Sequence, residues 1–194
     1  MTVSDRRAEK FRGVLARRQT DLTVVLENIH DPHNVSAILR SCDAVGVLRV
    51  ELLYTTEKFP RIGRKSSSSA NKWLERRPHR SVEGCYAALR SEGFRICATH
   101  LGGESLSLYA LDLTGPVALV FGNEHRGVSG ESAAQADLRF HIPMMGMIQS
   151  LNVSVAAAVS LYETLRQRTA AGGYAGPSIP PDERERLFND WIRR

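Results

Sequence analysis

Leu22-Thr23-Val24-Val25-Leu26-Glu27, followed at once by Asn28-Ile29-His30-Asp31-Pro32-His33-Asn34, is the stretch from which the fold can be read. Its apolar part is too short for a buried helix and suits a strand covered on both faces. The polar segment behind it ends the strand. Pro32 fits the first turn of a helix, where the N–H it lacks would have no partner. Val35, Ile38, Leu39, Cys42 and Val45 then recur at three- and four-residue spacing until Gly46 closes the pattern, and a second apolar run occupies residues 47–54. Strand, helix and strand in that order require a crossover, so the two strands run parallel. The expectation is an α/β fold, a parallel sheet flanked by helices.

Working outward, residues 55–70 contain Pro60, Gly63 and four serines (66–69) with no periodic apolar face, which predicts a mobile loop. A helix is expected over 82–92, a strand over 94–99, and a continuous apolar strand over 117–121 that Gly122 breaks. A last short strand at 140–142 is stopped by Pro143, and a long helix with an Ala- and Val-rich stripe spans 152–169. Pro177, Pro180 and Pro181 make a hinge before an amphipathic helix at 182–192. The chain thus divides into a basic N-terminal helical extension (1–20), a central α/β domain (21–171) and a C-terminal hinge and helix (172–194).

With 194 residues, 42% of them hydrophobic, the chain can bury one sizeable core. The longest apolar run, 153–161, is too short to span a bilayer, and the basic start lacks an apolar leader core, so an unexported cytoplasmic protein is expected. Cys42, Cys85 and Cys97 are an odd set without CxxC spacing, read as buried reduced thiols, and no HExxH or Cys–His pairing announces a metal.

The net charge of +5 is moderate, but it is concentrated. Arg6, Arg7, Lys10, Arg12, Arg17 and Arg18 face only Glu9, while Lys58, Arg61, Arg64, Lys65, Lys72, Arg76, Arg77 and Arg80 face Glu57 and Glu75. Either run alone reads as a solvated surface. Two runs flanking one apolar domain point to a polyanion, because clustered cations release counterions from phosphates. Contact with roughly six to eight phosphates would give a log–log salt slope of about −4 to −7.

Three strand-end loops are rich enough to carry chemistry, where open parallel sheets place their ligands. The first holds Asn34 at a helix start and Arg40 nearly two turns on, an arginine whose place on an apolar stripe calls for an anion or an internal pair with Glu27 or Asp43. The second is Phe121-Gly122-Asn123-Glu124-His125-Arg126-Gly127, whose glycines permit a close approach or simply a chain reversal. The third runs from Ile142-Pro143-Met144 through Met147 to Ser150-Leu151-Asn152, suited to a flat apolar heterocycle beside polar groups, or to plain packing with Ser150 or Asn152 as an N-cap. No GxGxxG follows a strand; Gly102-Gly103 comes nearest, which disfavours a glycine-fingerprint dinucleotide enzyme.

Taken in order over residues 28–158, these three motifs resemble the SPOUT superfamily of RNA methyltransferases, in the branch that methylates ribose 2′-oxygens. Within it the chain is most similar to the TrmH-type tRNA (guanosine-18-2′-O)-methyltransferase family, because the likeness reaches the basic N-terminal helix and the ending Asp190-Trp191-Ile192-Arg193-Arg194. The resemblance implies a C-terminal deep trefoil knot, a homodimer, S-adenosylmethionine as methyl donor and tRNA as substrate, with guanosine-18 of the D-loop as target. It implies a cofactor pocket of Thr99, His100, Leu101, Gly122, Ile142, Met144, Met147 and Leu151. It assigns catalysis to Arg40, with Asn34, Glu124, Ser150 and Asn152 around it, and no metal. Arg6, Arg7, Lys10, Arg12, Arg17, Arg18, Arg61, Arg64, Lys65 and Lys72 become the expected RNA contacts. The alternatives are the same chemistry on ribosomal RNA or another tRNA position, and an RNA-binding module without catalysis.

Overall fold

A computed structural model describes residues 4–62 and 70–194. The expected mobile loop therefore falls partly outside the described residues, as do Arg64 and Lys65. Seven strands form a sheet: β1 (Gln19–Glu27), β2 (Val47–Leu53), β3 (Glu75–His79), β4 (Arg95–Thr99), β5 (Leu106–Ser107), β6 (Val117–Phe121) and β7 (Leu138–His141). Their order across the sheet is β3-β2-β1-β6-β4-β7-β5, with every pairing parallel. Helices α1 (Asp5–Leu15), α2 (Pro32–Ala44), α3 (Val82–Ser91), α4 (Gly130–Gln135), α5 (Val153–Ala170) and α6 (Pro181–Arg193) cover it.

Alternation along the strands sorts the side chains. Leu22, Val24 and Leu26 of β1 join Val117, Leu119 and Phe121 of β6 in a core with Ile38 and Leu39 of α2 and Ala157 and Leu161 of α5. Val25, Ala118 and Val120 point the other way, onto Cys85, Tyr86 and Leu89 of α3. Continuous apolar runs are what a sheet covered on both faces requires. All three cysteines are free and buried; burial pushes the thiols of Cys85 and Cys97 up to about 12 and about 11.

A third cluster joins the ends of the chain. Phe11 and Leu15 of α1 pack with Leu187, Phe188 and Trp191 of α6, with Trp73 packed against them. Arg18 lies beneath this cluster and is fully buried, paired with Asp43, donating to the Val47 carbonyl at 2.7 Å and the Trp73 carbonyl at 3.2 Å. It was expected on the RNA-binding surface. Burial commits its guanidinium to the interior, so that expectation is corrected.

Strands β3 and β5 and helix α4 were not foreseen. β3 reads Glu-Arg-Arg-Pro-His, and its proline and charges are those of an edge strand. Its Arg77 is neutralised by Glu51 at 2.9 Å and Glu92 at 2.6 Å, and His79 meets Glu51 at 2.6 Å. Part of the second basic run is therefore an internal charge network.

Candidate active site

The strand register brings Glu27 of β1, Phe121 of β6, Thr99 of β4 and Phe140 of β7 to the same edge of the sheet. The loops that leave from there meet. Asn28 turns the chain with φ of 50°, a value asparagine tolerates better than most residues. Its Oδ1 accepts from the backbone N–H groups of Thr55, Thr56 and Glu57 at 2.9, 3.1 and 3.2 Å. Its carbonyl accepts from Asn123 Nδ2 at 2.9 Å, tying the first loop to the second.

Glu124 is the hub. Its carboxylate accepts from the backbone N–H groups of His30 and Asp31, both at 3.1 Å, and from Asn34 Nδ2 at 3.0 Å. Partial burial opposes its ionisation, but the donation from Asn34 and these backbone groups outweighs that and holds the carboxyl below the usual carboxylate range. Asn34 Oδ1 in turn accepts from Asn152 Nδ2 at 3.1 Å. Asn152 Oδ1 accepts from the Ser154 N–H at 2.9 Å and caps α5. One polar chain thus spans all three sequence motifs. The cap considered for Asn152 is made, and the same side chain reaches Asn34.

Gly122 has no room for a side chain: a Cβ there would lie 2.1 Å from the carbonyl atoms of Gly127. The close approach is to the chain's own turn, where the Gly127 N–H donates to Asn123 at 2.8 Å and Gly127 adopts φ of 69°. Beside this turn lies a cavity of about 390 Å³, within the range of small-molecule sites. Thr99, His100, Leu101, Gly122, Ile142, Met144 and Leu151 all line it, together with Phe121, Phe140 and Ser150. Met147 does not; it is 99% exposed, because the loop carries it outward. The sequence also missed Phe121, Phe140, Val153 and Ala156, whose helical and strand periodicity marked them only as core.

Arg40 is exposed, and among the described residues its side chain has no hydrogen bond or ion pair. The internal pair considered for it is not made: Asp43 binds Arg18, and Glu27 accepts from the Ser129 N–H at 3.2 Å. Arg6, Arg7, Lys10, Arg12, Arg17, Arg61 and Lys72 are exposed. Of these, Arg12 is engaged by Glu185 at 3.3 Å and by the Phe188 ring at 3.9 Å. No group of His, Cys, Asp and Glu among the described residues could hold a metal ion, and no helix there is long and apolar enough to cross a membrane.

A parallel sheet with a cavity at its strand ends, ringed by loops locked to one another, defines an α/β enzyme that binds a small ligand there. The SpoU rRNA Methylase family matches residues 21–162, and the chain belongs to it. A tRNA (guanosine(18)-2'-O)-methyltransferase of Thermus thermophilus is 45% identical over 191 residues, covering 98% of both chains. The A. aeolicus TrmH/SpoU tRNA modifying enzyme superposes with a TM-score of 0.91 at 40% identity, over 96% of this chain and 95% of that one. AviRb of Streptomyces viridochromogenes, solved in complex with AdoMet, has a TM-score of 0.68 at 26% identity, over 80% of this chain and 59% of that one. The resemblance read from three motifs agrees with these likenesses.

Proposed function

We propose that the chain transfers a methyl group from S-adenosylmethionine to the ribose 2′-hydroxyl of guanosine-18 in tRNA. The end-to-end likeness to the Thermus enzyme carries this reading, since AviRb, by contrast, is matched over only 59% of its length. The cavity suits the cofactor in size and chemistry. Leu101, Ile142, Met144 and Leu151 give it apolar walls, and the turn that packs Gly127 against Gly122 forms part of its lining. When bound, the cofactor supplies an electrophilic methyl on a sulfonium, whose charge disperses in the transition state and so favours a water-poor site.

The chain's own residues then have to place the 2′-oxygen. Glu124, held anionic by three donors, is occupied in fixing the loop around Asn34 and is a poor proton acceptor. Arginine is a donor of hydrogen bonds and not an acceptor, so the unpaired guanidinium of Arg40 suits a clamp on a substrate phosphate that orients the ribose. Ser150, exposed on the cavity wall, and Asn152, one residue from Leu151, complete the polar side of the site.

The same reading includes a homodimer, a C-terminal deep trefoil knot and a cytoplasmic location. Met145, Met147 and Ile148, 94%, 99% and 62% exposed, with Val155 on α5, form an apolar surface that supports a second copy packing there. The test is to incubate the protein with total tRNA and labelled cofactor and map 2′-O-methylation. Modification of the D-loop guanosine is expected; label found only in ribosomal RNA would overturn the substrate.

A further inference from the structure

One cation beside the cavity already has a carboxylate on it. Arg126, in the turn that closes on Gly127, lines the cavity and donates from its guanidinium to Glu57 Oε1 at 2.9 Å. Its backbone is fixed by the Asn123 side chain, which accepts from the Arg126 N–H at 3.3 Å, but its side chain is 62% exposed and can swing. Glu57 is seated by the loop after β2, whose N–H groups converge on Asn28, and its second oxygen lies 3.7 Å from His30 Nδ1. An acid thus bridges the first two catalytic loops at the cavity mouth, where a polyanion has to arrive. Exposed Lys58 and Arg61 follow on the same loop.

We propose that Arg126 grips a phosphate of the RNA substrate beside the target ribose, and that Glu57 is a latch that occupies it until the phosphate displaces the carboxylate. An exposed ion pair is weak, worth at most about fivefold in an equilibrium constant, and a backbone phosphodiester offers the same fork an equal charge and an equally bidentate acceptor, delivered by an RNA that the other cations hold in place. The latch therefore opens readily for an RNA already held by the other cations. It also lowers the grip on polyanions that engage this corner alone, which favours RNA that fits the whole site. This inference rests on the tRNA reading above.

The test is tRNA binding across a salt series for the wild type, Glu57→Gln, Arg126→Ala and the double variant, with S-adenosylmethionine affinity measured alongside. Glu57→Gln should tighten binding about two- to fivefold. Arg126→Ala should weaken it about three- to tenfold and flatten the log–log salt slope by about 0.7–0.9, the share of one phosphate. In the Arg126→Ala background the gain from Glu57→Gln should vanish. An equal gain in both backgrounds would reduce Glu57 to general repulsion and overturn the latch, as would Arg126→Ala weakening only cofactor binding. If Glu57→Gln loosens binding, the pair is a structural brace and the latch likewise fails. A wild type that does not bind tRNA at all would instead refute the substrate reading, so the two failures are distinct.

Discussion

At the residue scale, the proposed function gives Arg40 the substrate and Glu124 the scaffold. The exposed side chain of Arg40 makes no hydrogen bond or ion pair among the described residues, so Arg40→Ala should fold normally and bind the cofactor as well as the wild type. Its turnover should fall about a hundredfold or more, since misplacing a reacting group costs on that order; calorimetry and single-turnover methylation separate the two effects. Glu124 behaves differently. Its folded pKa lies below the ordinary value near 4.5, so the stability it contributes is present above that value and is lost as pH falls through the folded one. Melting curves of the wild type and Glu124→Gln should differ most at neutral pH and converge in acid below about 4.5, whereas a constant gap would exclude linkage through this group. Its place beside the cavity was legible from the motif. Its role as acceptor for the His30 and Asp31 N–H groups was not, because backbone partners leave no trace in residue type. Arg18 failed for the opposite reason: a basic run does not reveal which member turns inward, and here Asp43, 25 residues away, decides it.

At the scale of elements, α5 begins on a residue with two tasks. Asn152→Ala removes an N-cap, costing about 1 kcal/mol, and also frees Asn34. The predicted outcome is a drop in melting temperature of about 2–4 °C accompanied by a much larger loss of turnover. Asn152→Ser, which restores the cap without reaching Asn34, should recover the melting temperature alone. The helices and strands with clear apolar periodicity were legible: β6 fell where its sequence placed it, and Asn152 and Pro32 marked the starts of α5 and α2. β3 was not, since an edge strand that hides its charges against Glu51 and Glu92 reads as loop. β5 has only two residues, Leu106 and Ser107, and α4 only six, too few to establish a period.

At the scale of the molecule, the exposed Met145, Met147 and Ile148 set the assembly question. Met147→Glu adds a charge to a side chain that neither lines the cavity nor touches the core. If the proposed dimer packs here, it should shift sedimentation from dimer to monomer at micromolar concentration while the melting of the domain changes little. A variant that remains dimeric would move the interface elsewhere.

The polar chain through Glu124, Asn34 and Asn152 also imposes an order in time. Its members are 90 and 118 positions apart, and the last enters only when four fifths of the polypeptide exists. The residues of β1, β2 and β6 all precede the Asn152 partner of Asn34, which caps α5. The network is therefore completed late: a chain ended short of residue 152 keeps Arg40 and Arg126 but lacks the partner of Asn34, the α5 side of the core and the α6 side of the terminal cluster.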